Sequence, residues 1–463
     1  MTMRQTLLVP ELRELLQAGQ MDTLRSFVVE SHPGTDAELL SGLETDEIWR
    51  ILLLLPTPAR AEVFSNFDLD QQVELATGQN RGDMARLLEE MEPDDRADLV
   101  QRLDEKVREE ILPLVARAER EDIRRLVSYE EGTAGSVMNT DYAVLTPDLT
   151  VAQATEKVRI QAPSKATIYY IYVVDNQHRL LGLVSLKKLI LARPHQTVRD
   201  IMHGDVVSAR VSEDQESVAR KIEKYDLLAI PVVDDGNVLV GIVTYDDAAD
   251  IIRQEQTEDF EKFMAIGGSH QTGEYLKSSP WSHFRRRAPW LMGLAVMGFI
   301  TGTIMHNFGD TLAALMVLAF FLPMFAGTGG NVGTQSATLV VRGLAMGELH
   351  PRDVLRVLGK ELRVSVMLSL ALWVLTGIIV SVVIILQGSA LPDGLEWFQV
   401  AAAIATAMAI QVVCSTIIGS MLPMVVSSFK LDPAIVASPA ITTLVDITGL
   451  LIYFMIASRM LGA

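Results

Sequence analysis

The sequence predicts a multidomain membrane protein: an all-α superhelical N-terminal domain, an α+β pair of repeated units, and an α-helical membrane domain with five transmembrane helices. Three observations predict it. Seven Lys or Arg and eight Asp or Glu follow Pro289, so all but one of the 18 net negative charges precede it. Within residues 137–255, two stretches repeat in register with an offset of 59 residues. After Pro289, five apolar stretches are each long enough to cross roughly 30 Å of hydrocarbon.

Residues 1–132 read as an acidic helical domain. The opening MTMRQTLLVPELRELL lacks a long apolar core and a small-residue cleavage site, which excludes a cleaved signal peptide. Leu55–Val63 recurs 36 residues later as Glu92–Leu99, with Arg60-Ala61 falling on Arg96-Ala97. A repeat of that length predicts stacked helical hairpins. Its second copy is unusually acidic: Glu92, Asp94, Asp95 and Asp98. Acids at a helix start serve as caps and dipole partners, which accounts for Asp94 and Asp95. Asp98 lies a turn beyond Asp94 on the same face, where capping does not explain it. So acidic a soluble part excludes nucleic acid as a partner, since that needs a basic surface.

Residues 133–200 and 201–255 form the repeat. Tyr170-Ile-Tyr-Val-Val-Asp175 followed by Gly182-Leu-Val-Ser185 recurs as Ala229-Ile-Pro-Val-Val-Asp234 followed by Gly241-Ile-Val-Thr244. Upstream, Val137-Met138 is echoed by Ile201-Met202. Each unit reads strand, helix, strand, turn, strand, helix, and the pair resembles tandem CBS domains. In that family a Ser or Thr and an Asp three residues on often hold a ribose. Thr244 and Asp247 fit that pattern, whereas Ser185 is followed by Lys188. The resemblance makes Tyr170, Lys187, Lys188 and Thr244 candidates for binding an adenine nucleotide. A pair acting only as a dimerisation wedge is the other reading.

A second acidic run closes the repeat: Asp246, Asp247, Asp250, Glu255, Glu258 and Asp259. Asp246 or Asp247 and Asp250 share a helix face by spacing. A solvated face is the ordinary explanation, but this run occupies the only connection to the membrane part, a connecting helix over 256–283.

The membrane domain covers 284–463, with spans at Pro289–Phe308, Thr311–Thr338, Val364–Leu386, Phe398–Ser427 and Ala434–Ala457. Arg285–Arg287, then Arg342, Arg352, Arg356, Lys360 and Arg363, then Lys430 carry the basic charge, while HNFGD and QGSALPDGLEW carry none. The alternation predicts a multi-pass cell-membrane protein with a cytoplasmic N-terminus and an outer C-terminus. Asp446 is the one charged residue of the last span. A carboxylate at bilayer depth marks an ion path unless protonation or a basic partner neutralises it. Gly327-Thr-Gly-Gly-Asn331 predicts irregular backbone lining a wet cavity, or else close helix packing. Pro439 is expected to free a carbonyl before Asp446. Carbonyl and Asn oxygens suit a hard, hydrated divalent ion. The lone Cys414 excludes an internal disulfide and a thiolate metal cluster.

The whole combination resembles MgtE-type magnesium channels. The residues that carry the likeness are Gly329-Gly330-Asn331 with Gln335–Thr338, Asp432-Pro433-Ala434 followed by Pro439, Thr442, Thr443, Asp446 and Gly449, and Met91–Asp98. The resemblance implies a homodimer in the lipid bilayer, with one pore on the two-fold axis. It implies that Asp446, with Asn331, Gly329 and Gly330, meets hydrated Mg2+. It implies regulatory Mg2+ between the helical, CBS and connecting elements, held by Asp94, Asp98 and Asp247 and by Glu216, Asp226, Asp250, Glu255 and Glu258. ATP is the implied ligand of the CBS pair. A broader divalent carrier and a membrane-anchored nucleotide sensor are the alternatives. No P-loop, nucleophile elbow or HExxH motif is present, so no enzyme is predicted.

Overall fold

The structure is a computed structural model that describes residues 3–267, 279–387, 391, 395–435 and 438–461. The chain forms two compact units, one ending at Glu255 and the other beginning at Gln256.

In the first unit, ten α-helices run between Met3 and Val127 among the described residues. Five of them begin at a side-chain cap or a proline. Asn80 accepts hydrogen bonds from the Gly82 and Asp83 amides (2.8 and 3.3 Å), and Pro93 opens its helix at a position that needs no amide. Leu24, Ile51, Leu52, Phe64, Leu75, Leu87 and Leu99 are fully buried between them. The helical repeat has a structural counterpart. Arg60 donates to the Leu52 carbonyl at 3.0 Å, and Arg96, 36 residues on, reaches the Leu88 carbonyl at 3.5 Å. Each arginine thus caps the C-terminal carbonyls of the preceding helix.

The CBS repeats fold alike. Strands β1 (Tyr142–Leu145), β2 (Thr167–Val174) and β3 (Leu180–Ser185) form one sheet, with β1 parallel and β3 antiparallel to β2. Strands β4 (Ala209–Arg210), β5 (Ala229–Val233) and β6 (Leu239–Thr244) repeat that order. Register is copied with the sequence: Tyr170 pairs with Ser185, and Ala229 with Thr244. The hairpin turns are copies too. Asp175 Oδ1 accepts from the Gln177 and Arg179 amides, and Asp234 Oδ1 from those of Gly236 and Val238. His178 and Asn237 take the left-handed conformation at φ 63° and 61°.

The repeats exchange their leading segments. Asn139, ahead of the first, exchanges two backbone bonds with Ile242 in β6, and His203, ahead of the second, does so with Leu183 in β3. Gly182 and Gly241 permit this approach. A Cβ at Gly182 would lie 2.5 Å from the His203 carbonyl, and one at Gly241 2.6 Å from Met138 Sδ.

In the second unit, five helices among the described residues are long and apolar enough to cross a membrane: Pro280–Asn307, Met316–Ala345, Val354–Gln387, Trp397–Ser428 and Ser438–Leu461. They differ from the expected spans at their ends. Residues 309–314 form a separate short helix, so the second span starts at Met316 rather than Thr311. The third starts at Val354 rather than Val364, because Arg356, Lys360, Glu361 and Arg363 continue the helix although they depress its hydropathy. The connecting helix ends at Phe263. Part of the expected 256–283 element, residues 268–278, and most of the 387–397 loop lie outside the described residues.

Two expectations about irregular backbone are overturned. The second-span helix runs unbroken through Gly327–Ser336, so Gly329 and Gly330 do not present freed carbonyls. Pro439 lies in the first turn of the fifth-span helix, where its missing amide frees nothing. The glycines pack instead. A Cβ at Gly330 would lie 2.8 Å from Thr442 Cγ2, and one at Gly419 2.1 Å from the Gly333 carbonyl. In a bilayer, where helix association depends on contact, such close approach outweighs the poor helix propensity of glycine.

Candidate functional site: an acidic interface and a membrane carboxylate

The acidic interface lies within the first unit, where the helix Pro93–Arg102 meets the CBS pair. Asn139 of the exchanged segment is fully buried and donates to the carboxylates of Glu92 and Asp94, the latter at 3.2 Å. Thr140 donates to Asp122 Oδ2 (2.8 Å), which also pairs with the buried Arg96 at 3.3 Å. From the CBS side, the Thr244 hydroxyl is shared between Asp246 and Asp247 at the start of the connecting helix, Tyr245–Phe263.

Burial and mutual repulsion raise these carboxyls. Asp94 is buried and lies well above the usual carboxylate range, first by desolvation and then by Asp247, Asp95 and Glu92. Asp247 is raised by burial, opposed by its hydrogen bonds to Thr244. Burial, then Asp95 and Asp247, push Asp98 up to about 7. Burial, then Asp95, Asp247 and Asp246, push Glu92 up to about 7. Asp95 rises to about 6. Glu92 and Asp98 keep open surface, so water moderates their repulsion most and Asp94 carries it most fully. Asp94, Asp98 and Asp247 therefore form one electrostatic group. Glu92, at the N-cap position of the acidic helix with its carboxylate bonded to Asn139, belongs to it as well; its place at the head of the acidic turn is the available signal.

Of the other acidic candidates, Asp250 adds to this repulsion by raising Asp95 and Asp247, and the rest stand apart. Glu216 pairs with Arg220, and Asp250 with Arg253 at 2.9 Å. Asp226 is exposed, with φ 51°. Glu255 accepts from Gln215 Nε2 at 2.7 Å. Glu258 pairs with Lys262, whose ammonium also meets Asp432 at 2.9 Å. Among the described residues, no three His, Cys, Asp or Glu side chains converge to hold a metal ion. That leaves room for a hydrated ion, since Mg2+ keeps several waters and takes only one or two carboxylates.

Of the nucleotide candidates, Tyr170 packs on the apolar cluster shared by the repeats, which contains Ala229, the partner of Thr244. Lys187 is exposed, and Lys188 Nζ lies 3.5 Å from His203 Nε2. Ser185 accepts from the Lys188 amide at 3.2 Å and so caps its helix.

In the membrane unit, Asp446 sits mid-helix and half-buried, and its Oδ1 is enclosed without a hydrogen-bond partner. Asn331 faces outward from the single chain, whereas Gly329 and Gly330 face the packed side. The expected set thus splits, with Asp446 as its one carboxylate. Sequence reasoning missed two polar groups here. Gln411 is fully buried and donates to the Val445 carbonyl at 3.0 Å. Glu361 is buried and accepts from the Ser336 hydroxyl at 3.0 Å.

Residues 322–456 match the MgtE family, described as divalent cation transporters; residues 31–132 match the MgtE intracellular N domain, and 134–195 and 198–254 match CBS domains. The magnesium transporter MgtE of Thermus thermophilus is 36% identical over 463 residues, covering 98% of this chain and 99% of that protein. The magnesium transporter MgtE of Bacillus subtilis is 35% identical over 446 residues, covering 96% and 95%. Among solved structures, the soluble part of a magnesium transporter matches with TM-score 0.52 and 32% identity, over 54% of this chain and 99% of that one. The cytosolic domain of the Mg2+ channel MgtE in complex with ATP matches with TM-score 0.50 and 37% identity, over 52% and 98%. Likeness of this extent, running through all three domains in order, makes the chain a member of the MgtE family.

Proposed function

We propose that this protein conducts Mg2+ across the cell membrane as a homodimer, and that cytoplasmic Mg2+ closes it. The observation that carries the reading is Asp446: a half-buried carboxylate in a spanning helix, with one oxygen enclosed and unbonded. Such a group is costly in a membrane unless an ion visits it. Two copies facing each other across a two-fold axis would hold a hydrated divalent ion through its water shell. The magnesium transporter relatives supply the identity of the ion.

The acidic interface acts as the sensor. Carboxylates about 4 Å apart repel by roughly 1–4 kcal/mol per pair, depending on the local dielectric. Asp94, Asp98 and Asp247 therefore resist docking of the helical domain on the CBS pair until hydrated Mg2+ offsets their charge. Glu216, Asp226, Asp250, Glu255 and Glu258 bridge further contacts, including those between subunits. The ion shifts the balance only by binding the docked state better. The CBS cleft near Tyr170, Lys187, Lys188 and Thr244 takes ATP, as does the cytosolic domain of the relative.

Mg2+ flux into liposomes tests the pore. Asp446→Asn and Asp446→Ala abolish flux while the oligomer stays intact. Flux near the parent level in either well-folded variant refutes the assignment.

A further inference from the structure

We propose that Gln411 is a positioning residue for the ion site: by holding the Val445 carbonyl, one peptide before Asp446, it sets where the fifth-span helix presents that carboxylate. The inference rests on Asp446 being the pore site.

Gln411 lies inside the fourth-span helix with no exposed surface. Its Nε2 donates to the Val445 carbonyl at 3.0 Å. The same carbonyl accepts from the Thr448 hydroxyl at 3.1 Å. Two glycines on two other elements make room for the amide. A Cβ at Gly329 in the second span would lie 2.5 Å from Nε2, and one at Gly449 in the fifth span 2.4 Å. Any larger residue at either place would displace it. One side chain thus registers the second, fourth and fifth spans against one another, within a turn of Asp446.

Stability alone does not account for a glutamine here. A buried amide costs free energy unless both ends are bonded. Gln411 Oε1 has no hydrogen-bond partner among the described residues, and neither has Ser415 Oγ, one turn further along the same helix face. A methionine would fill the volume without that cost. What the amide adds is direction: a donor fixed on one particular carbonyl. Val445 itself packs between Gly329 and Gly333, so a shift of this peptide turns the next residue.

The test is Mg2+ and Co2+ influx into liposomes containing the full-length protein, measured against ion concentration. Gln411→Met raises the half-saturating Mg2+ concentration about tenfold, the worth of one buried hydrogen bond. It also lowers the Mg2+/Co2+ flux ratio, while the unfolding temperature and oligomer size stay those of the parent. Gly449→Ala reproduces the shift by displacing the amide. It adds nothing on a Gln411→Ala background, where no amide remains to displace. An unchanged half-saturation and flux ratio in Gln411→Met overturns the inference. Should that variant not fold, additive effects of Gly449→Ala and Gln411→Ala overturn it equally. Asp446→Asn separates the two readings. A dead Asp446→Asn beside an unaltered Gln411→Met removes only the positioning role, whereas a conducting Asp446→Asn removes the site assignment and this inference with it.

Discussion

Asp247 faces Asp94 and Asp98 across the seam between the helical domain and the CBS pair, and losing it has two opposed effects. Removing a carboxylate weakens a magnesium bridge, but it also removes repulsion. On the proposed sensor reading the bridge is occupied at millimolar Mg2+ and the repulsion already offset, so ligand loss wins. Asp247→Ala therefore raises the Mg2+ concentration at which the connecting helix near Glu258 becomes protease-resistant. Combining it with Asp94→Ala costs less than the sum of the two, since ligands of one site act together. Unchanged midpoints in the single and double variants would reduce these acids to a solvated face. The same group makes the contact between the helical domain and the CBS pair sensitive to pH. Glu92, Asp95 and Asp98 bind protons more tightly when docked, with values of about 7, 6 and 7 against ordinary 4.5, 3.8 and 3.8. Docking without magnesium is then favoured in acid, fully so only below the ordinary values of 3.8 to 4.5, and is lost as pH rises through about 6 to 7. Proteolysis in magnesium-free buffer should proceed more slowly at about pH 5.5 than at about pH 8; equal rates would count against the group. Asp94 and Asp98 are legible in the sequence because their spacing puts them on one helix face, whereas Asp247 joins them only through the family resemblance. Gln411 is not legible. A lone glutamine in an apolar run gains meaning only from Gly329 and Gly449, which lie far from it in the chain.

Among the elements, the second-span helix shows how a local rule can mislead. Glycine is a poor helix former in water, so Gly327-Thr-Gly-Gly reads as a break. Close contacts of Gly329, Gly330 and Gly333 with the fourth and fifth spans keep it helical. The third span is misjudged at its start for another reason: charge lowers hydropathy, yet Glu361 is buried and bonded to Ser336. The CBS strands are legible down to register, because both copies obey the same alternation and turn chemistry. Their glycines separate two costs. Gly182→Ala meets a backbone carbonyl and should lose roughly 1–3 kcal/mol, as overpacking does. Gly241→Ala meets Met138 from Sδ back to Cβ, of which only the thioether end can swing away, and should lose somewhat less. Thermal unfolding of the full-length protein measures both; an equal loss would show that the His203 segment yields as readily as a methionine.

At the scale of the whole molecule, domain order and membrane content follow from the segregation of charge, which hydropathy reports directly. The ends of the spans do not, because packing sets them. Orientation is testable without any ion. With Cys414 replaced, a cysteine placed in the 387–397 loop should react with an impermeant reagent from outside, and one in the 343–353 loop only from the cytoplasm. Labelling of the first loop from the cytoplasmic side alone would overturn the five-span arrangement. The exchanged segments bear on how such a chain is made. Asn139 finds its partner only when Ile242 has been synthesised, about a hundred residues later. At roughly 5–20 residues per second, the first repeat waits some 5–20 s on the ribosome with that edge open. A fragment ending near residue 200 would therefore never close, and would meet the cell as a client for chaperones or a target for proteases.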